Sequence, residues 1–461
     1  MKSIFGLLSI ALWACILPPP TIALPSGPLP RSDSDNHWIT VWTAMPQLTE
    51  PANLPSGVFN NTPKFQDTTI RQTLKLDLPA GCQAACNLRV RFSNAFGTTQ
   101  LNISSVTIAR PFNNSAGTSS IQDDTLQTVT FNKTENEGVS VPPGSLAVSD
   151  PFLYDFTGIT TYTSNSTTEA GAIVTVTMYL ARGQEGEAIT SHPGSRTDNY
   201  LSHGNEVTAA NVTGDDVQSL AHWYFVSAVE AWAPTSASTL VVVGDSITDG
   251  LGSDTNLNNR WPDLLFTQLQ SSSATSGISI VNQAAGGNRI LQDGLGPSAL
   301  SRMDRDVLAQ SGVKYAMIFE GVNDIGTAAA NPAAQDEVYA NLIAAYRQII
   351  LRLHAQDIPV FGATITPFGS ANSTLQPYSD PAGYREQTRS KVNNWIRSSG
   401  EFDAVVDFDA VVRDMENATM LASQYDSGDH LHPSIAGYHA MADSFPIGLF
   451  EQWAGGVNTM T

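Results

Sequence analysis

The arrangement of apolar and polar positions changes character once along the chain. Between residues 37 and 230 it has a period of two. Ile70, Leu74, Leu76 and Leu78 fall on one parity and Arg71, Thr73, Lys75 and Asp77 on the other, which predicts a strand with one face buried and one facing water. Leu88-Arg89-Val90-Arg91-Phe92 alternates likewise, residues 106–108 and 129–131 are short β-branched runs, and residues 172–180 form a longer one. Turn formers sit between them, at 94–97, 113–117 and 142–144. Short strands broken by frequent turns predict a β-rich domain over residues 37–230, of sandwich or jelly-roll type.

From residue 238 the rhythm becomes strand then helix. Residues 239–243, 278–282, 315–319, 358–363 and 404–408 are compact apolar runs of the kind buried on both faces of a parallel sheet. Between the third and fourth run, Val338, Leu342, Tyr346, Ile349 and Leu353 share one helical stripe. A last helix follows Pro433 and breaks near Pro446. The expected fold over residues 238–453 is α/β, a doubly wound five-stranded parallel sheet, with function in the crevice beyond the strands' carboxyl ends.

Four short blocks place chemistry there. The first run leads into Gly244-Asp245-Ser246-Ile247-Thr248-Asp249-Gly250, where a serine at a strand end can project its hydroxyl while backbone N–H groups face an incoming carbonyl oxygen. The second leads into Asn282-Gln283-Ala284-Ala285-Gly286-Gly287-Asn288-Arg289, whose glycine pair lets the backbone approach a ligand closely. The third ends in Glu320-Gly321-Val322-Asn323-Asp324, where Asn323 either aims an amide at a developing oxyanion or serves as a turn residue. Near the C-terminus, Asp426-Ser427-Gly428-Asp429-His430-Leu431-His432-Pro433 sets a carboxylate three residues ahead of an imidazole, able to fix the tautomer that leaves Nε2 free to take a serine proton. Two histidines with aspartates also raise a metal site, but no helix-borne His-Glu-x-x-His pair completes one, so no metal and no cofactor is expected.

The ordered set Gly-Asp-Ser, Gly-Gly-Asn-Arg, Gly-x-Asn-Asp and Asp-x-x-His-Pro resembles the SGNH hydrolase superfamily, the GDSL-like lipases and acylhydrolases, in particular its secreted branch with a β-rich N-terminal portion. Thr69-Ile70-Arg71-Gln72, residues 91–97 and Arg260-Trp261-Pro262 are more loosely similar to related exported esterases. The serine lacks the Gly-x-Ser-x-Gly elbow of α/β-hydrolases. The resemblance implies a flavodoxin-like fold and ester hydrolysis through an acyl-serine. By position, Ser246 would be the nucleophile, His432 the general base and then acid, and Asp429 its orienting carboxylate. The oxyanion hole would comprise the Ser246 and Gly287 N–H groups and the Asn323 side chain. Gly287 is preferred to Gly286 because the family glycine lies five residues after the leading asparagine, here Asn282. His430 adjoins Asp429, but one residue of separation does not easily close a carboxylate–imidazole contact.

Composition narrows the setting. Lys plus Arg number 23 against 43 Asp plus Glu, a formal net charge of -20, which excludes a nucleic-acid footprint and disfavours strongly anionic substrates. Lys2, an apolar run over residues 4–17 and small residues near Ala23 read as a signal peptide over 1–23, and no later stretch is apolar enough to insert stably in a membrane. With Cys15 removed, Cys82 and Cys86 remain as a disulfide pair. Sequons at Asn60, Asn102, Asn113, Asn132, Asn165, Asn211, Asn372 and Asn417 add the expectation of a secreted, extracellular glycoprotein. Oligomeric state has no signature here. Residues 251–262 hold Gly252, Ser253, Asn256 and Asn258 in place of an apolar lid, which favours a short acyl group, such as acetyl, on carbohydrate or another polar alcohol as the small-molecule or polysaccharide partner. The alternatives are a lipase or phospholipase, or a non-catalytic carbohydrate-binding surface protein that stacks sugars on Trp38, Trp42, Trp223 or Tyr224.

Overall fold

The computed structural model describes residues 35–134, 136–157, 171–370 and 376–457. The signal segment 1–23 with Cys15, and the sequons Asn165 and Asn372, lie outside the described residues.

The first half is built from antiparallel sheets. One orders Asn36–Thr43, Val226–Pro234, Ala85–Ser93 and Phe152–Asp155, with Leu146–Val148 also paired to Ala85–Ser93. A six-stranded sheet orders Gln218–Leu220, Asn199–His203, Thr68–Leu76, Ala172–Leu180, Ser105–Pro111 and Ile121–Thr128. Leu88, Val90 and Phe92 of the first share one hydrophobic core with Ile70, Leu74, Val174 and Val176 of the second. Cys82 and Cys86 are joined by a disulfide across the start of the strand Ala85–Ser93, in which Cys86 is the second residue.

Two expectations need correction here. The strand Thr68–Leu76 is buried on both faces, not one. Its polar parity is covered, and each polar group is matched. Arg71 donates to Thr177 Oγ1 at 3.1 Å, Ser119 O at 2.6 Å and Ala209 O at 2.7 Å, while Lys75 Nζ lies 3.1 Å from Asp77 and 3.4 Å from Asp263. Burial lowers the Arg71 guanidinium to about 10, yet these carbonyl acceptors make its position tenable. Residues 129–131, expected as a strand, lie beyond the end of Ile121–Thr128. Asn132 and Lys133 take φ of 64° and 55°, and Phe131 pairs with Asn136 across the resulting turn.

The second half holds the parallel sheet, ordered Ile278–Ala284, Ser238–Gly244, Val313–Phe319, Val360–Ala363 and Ala404–Val406. This is the 2-1-3-4-5 order of flavodoxin-like folds. The fourth run starts two residues later than expected because Ile358 N–H still bonds Leu353 O and Pro359 has no N–H to offer a neighbour. The fifth ends at Val406, since the Asp407 side chain accepts the Ala410 N–H at 3.2 Å and starts the helix Phe408–Val412. The long helix Pro332–His354 begins at Asn331, whose side chain caps Ala334 N–H, and buries Leu342, Tyr346, Ile349 and Leu353 against the sheet. The last helices are Ile435–Ser444 and Leu449–Gln452, parted around Pro446.

The two halves belong to one compact unit, Asn36–Thr461. The seam is made of main chain as well as side chain. Thr40 N–H donates to Ser311 O at 2.8 Å, Ala80 N–H to Ser276 O at 2.7 Å, and Thr43 Oγ1 to Asn282 O at 2.9 Å. Gly312 packs so closely on Ile39 that a Cβ there would lie 2.5 Å from its Cγ2.

Candidate active site

The strand Ser238–Gly244 delivers Ser246 to the carboxyl edge of the sheet. Gly244 is required by the tightness of the exit, since a Cβ would sit 2.6 Å from Thr248 Oγ1 and 3.0 Å from Phe319 O. Asp245 then caps the one-turn helix Ser246–Asp249, its Oδ1 accepting from Ile247 N–H at 2.9 Å. Burial raises the Asp245 carboxyl to about 7. Gly250, at φ 98°, closes the turn.

The imidazole arrives from a tight loop in which Asp426 bridges Pro433 and Ser427 N–H bonds His432 O at 3.0 Å. Asp429 Oδ1 accepts the N–H groups of Leu431 at 3.0 Å and His432 at 2.8 Å, and Oδ2 lies 2.5 Å from His432 Nδ1. Burial opposes its charge, but the bonds from the His432 ring and backbone outweigh it and hold the carboxyl well below the usual range. A carboxylate on Nδ1–H leaves Nε2 to accept, and Ser246 Oγ is 2.8 Å from it. His430 turns away at φ 62° and places Nδ1 2.6 Å from Asp426 Oδ2, so each histidine has its own aspartate. Ser246, His432 and Asp429 are therefore contiguous, and His430 is not part of the relay.

The second and third blocks are bonded to each other, and the second is bonded to the serine's turn. Gly286 N–H is taken by Asp249 Oδ2 at 3.1 Å, so of the glycine pair it is Gly287, at φ 70°, that keeps an unpaired amide among the described residues. Leu295 lies over it, and a Cβ on Gly287 would meet Leu295 Cδ1 at 2.7 Å. Asn323, in the helix Val322–Thr327, donates one Nδ2 hydrogen to Asn288 O at 2.8 Å and accepts from Tyr378 Oη at 2.9 Å, which leaves its second amide hydrogen. Asp324 holds the facing turn by accepting Ile290 N–H at 2.9 Å and Leu291 N–H at 3.0 Å, and burial raises it to about 6. Asn288 Oδ1 is in turn gripped by Arg302 from 2.8 Å.

Asp249, Tyr378 and Arg302 were not singled out from the sequence. Asp249 lies inside the first block, but nothing local shows which of its oxygens meets the second block, and Tyr378 reaches Asn323 across 55 residues. The aromatics considered for sugar stacking are largely interior. Trp42, Trp223 and Tyr224 are buried, and Trp42 meets Trp223 edge-on at 4.9 Å. Among the described residues no helix is long and apolar enough to cross a membrane, and no group of three or more His, Cys, Asp or Glu side chains is arranged to hold a metal ion.

Residues 240–445 match the family described as GDSL-like lipase/acylhydrolase. Among solved structures, an acetylxylan esterase from Geobacillus stearothermophilus is 21% identical over 48% of this chain and 98% of its own, with a TM-score of 0.34. A GDSL-like lipase from Bacteroides thetaiotaomicron is 18% identical over 47% of this chain and 89% of its own, again with a TM-score of 0.34. No curated protein matches the chain.

Proposed function

We propose that the chain, whose residues 240–445 match the GDSL-like lipase/acylhydrolase family, cleaves carboxylic esters through an acyl-serine at Ser246. The observation that carries this reading is the unbroken line from Asp429 Oδ2 to His432 Nδ1, 2.5 Å, and from His432 Nε2 to Ser246 Oγ, 2.8 Å. His432 Nε2 takes the hydroxyl proton as Ser246 Oγ bonds the ester carbonyl carbon. The carbonyl oxygen becomes an oxyanion facing the Ser246 N–H, the Gly287 N–H and the second Asn323 amide hydrogen. The carbon–alkoxy bond then breaks, His432 passes its proton to the leaving alcohol, and a water activated by the same nitrogen hydrolyses the acyl-serine.

The favoured substrate is a short acyl ester, such as acetyl, of a carbohydrate or similar polar alcohol. The loop after the serine supports this, because residues 251–262 carry Gly252, Ser253, Asn256 and Asn258 in place of a long apolar stretch. Asn256 ties that loop to the β-rich half, its Nδ2 donating to Asp198 Oδ2 at 2.8 Å. Secretion and glycosylation are part of the same proposal. Asn113, Asn132, Asn211 and Asn417 are exposed while Asn60 and Asn102 are half-buried, and the Cys82–Cys86 disulfide suits an oxidising compartment. A panel of acetylated xylan, acetylated pectin and p-nitrophenyl esters of increasing acyl length tests the reading. Turnover that grows with chain length would replace it with a lipase, and binding without turnover would replace it with a carbohydrate-binding protein.

A further inference from the structure

The catalytic half does not hold its own oxyanion turn unaided. Asp249, three residues after Ser246, is 2% exposed and binds the turn through Oδ2 on Gly286 N–H at 3.1 Å. Its other oxygen, Oδ1, accepts from His192 Nε2 at 2.9 Å, and His192 belongs to the short strand Thr190–His192 of the β-rich half. His192 is itself 4% exposed. Its Nδ1 lies 3.2 Å from Met45 O, and its ring stacks on Trp223 at 5.7 Å. Two residues on, Gly194 lies against the same carboxylate, where a Cβ would fall 1.8 Å from Asp249 Oδ2. One segment of the β-rich half therefore fixes both oxygens, Oδ1 by a hydrogen bond and Oδ2 by shape.

We infer that His192 is a positioning residue for ester hydrolysis, setting the Gly286–Gly287 turn through Asp249 so that the Gly287 N–H faces the oxyanion. The inference rests on the ester-hydrolase reading. Its chemistry is that a hydrogen-bond donor to a transition-state oxygen works only if preorganised, and a shift of about 1 Å far from the reacting atoms can cost on the order of a hundredfold in rate. A buried carboxylate with its donor removed would also turn toward another partner, and the nearest backbone donor it holds is Gly286 N–H. The β-rich half is thereby a working part of the active site.

The test uses the full chain and p-nitrophenyl acetate, with active molecules counted by fluorophosphonate labelling of Ser246. His192→Leu removes the donor, His192→Gln retains an amide donor of similar reach, and Gly194→Ala presses on Asp249 Oδ2. The expected result is a kcat per labelled molecule about ten- to a hundredfold lower in His192→Leu and Gly194→Ala, with KM within about threefold. His192→Gln should recover most of the loss. An unchanged kcat per labelled molecule in His192→Leu overturns the inference, as does a loss explained wholly by fewer labelled molecules. A loss in His192→Gln equal to that in His192→Leu overturns it too. An unsubstituted chain with no Ser246-dependent turnover overturns the ester-hydrolase reading and this inference with it, whereas normal turnover with an indifferent His192 overturns this inference alone.

Discussion

The Tyr378 hydroxyl donates to Asn323 Oδ1 over 2.9 Å, and that bond decides which way the Asn323 amide faces. With its oxygen held by Tyr378 and one hydrogen on Asn288 O, the remaining Nδ2 hydrogen has a single direction left. Tyr378→Phe should therefore lower kcat about tenfold with little change in KM, while Asn323→Ala costs about a hundred- to a thousandfold. Steady-state kinetics on a chromogenic acetyl ester reads both. An inactive Tyr378→Phe beside an active Asn323→Ala would remove Asn323 from the oxyanion hole.

Ser246→Ala should lower kcat by on the order of a millionfold, and His432→Ala by a comparable factor, because the pair acts as a unit. Combining them should add little. His430→Ala should leave most activity, since that ring pairs with Asp426 and not Asp429. Turnover numbers for the four variants check this, and an active His432→Ala with a dead His430→Ala would reverse the assignment.

Stability should fall as pH rises from about 5 to about 8. Burial raises Glu320 to about 8, Asp245 and Asp77 to about 7 and Asp324 to about 6, from ordinary values of 4.5 for Glu and 3.8 for Asp. The folded chain thus keeps protons in this window that the unfolded chain has released, and unfolding becomes easier as pH rises through the folded values. Below the ordinary carboxylate range the trend reverses, as groups held low in the fold, such as Asp429, are neutralised. Thermal melts at pH 5 and pH 8 should differ by several degrees, and Glu320→Gln should shrink the difference. A Tm that is flat or rising across this interval would sink the account.

Removing the disulfide should matter little. The bridge spans a sequence separation of 4, and so short a loop contributes about 2 kcal/mol to stability. Cys82→Ser/Cys86→Ser should lower Tm by a few degrees without changing kcat. Loss of the folded state would mean the bridge holds more than a turn.

The parallel sheet was legible because strands buried on both faces read as unbroken apolar runs, and the blocks at their ends follow directly from chain order. The contacts within the Asp429–His432 loop were legible for the same reason, being three residues apart. What could not be read was anything decided by packing between distant segments. Arg71 and Lys75 look like a solvent-facing parity until loops carrying Ser119 and Ala209, and the helix bearing Asp263, are folded over them. Tyr378 and His192 carry no local motif, and their roles exist only once strands and loops from far along the chain meet. Residues 129–131 alternate like a strand, yet the strand ends at Thr128 and Phe131 pairs onward, with Asn136, around the left-handed Asn132 and Lys133, a turn that alternation cannot report.

The seam between the halves has a consequence for how this protein can vary. Because Thr40 N–H to Ser311 O and Ala80 N–H to Ser276 O are bonds between main-chain atoms, no side-chain substitution short of proline at the donor can erase them directly. Drift in sequence can restyle both surfaces while the attachment persists. A fragment beginning at Ser238 would instead leave these acceptors without their partners and bare the face that the β-rich half covers. Such a fragment should be recovered as aggregate where the full chain is soluble, and co-expression of the missing half should restore it. On that outcome the matched region 240–445 is a recognisable text without being a separable object.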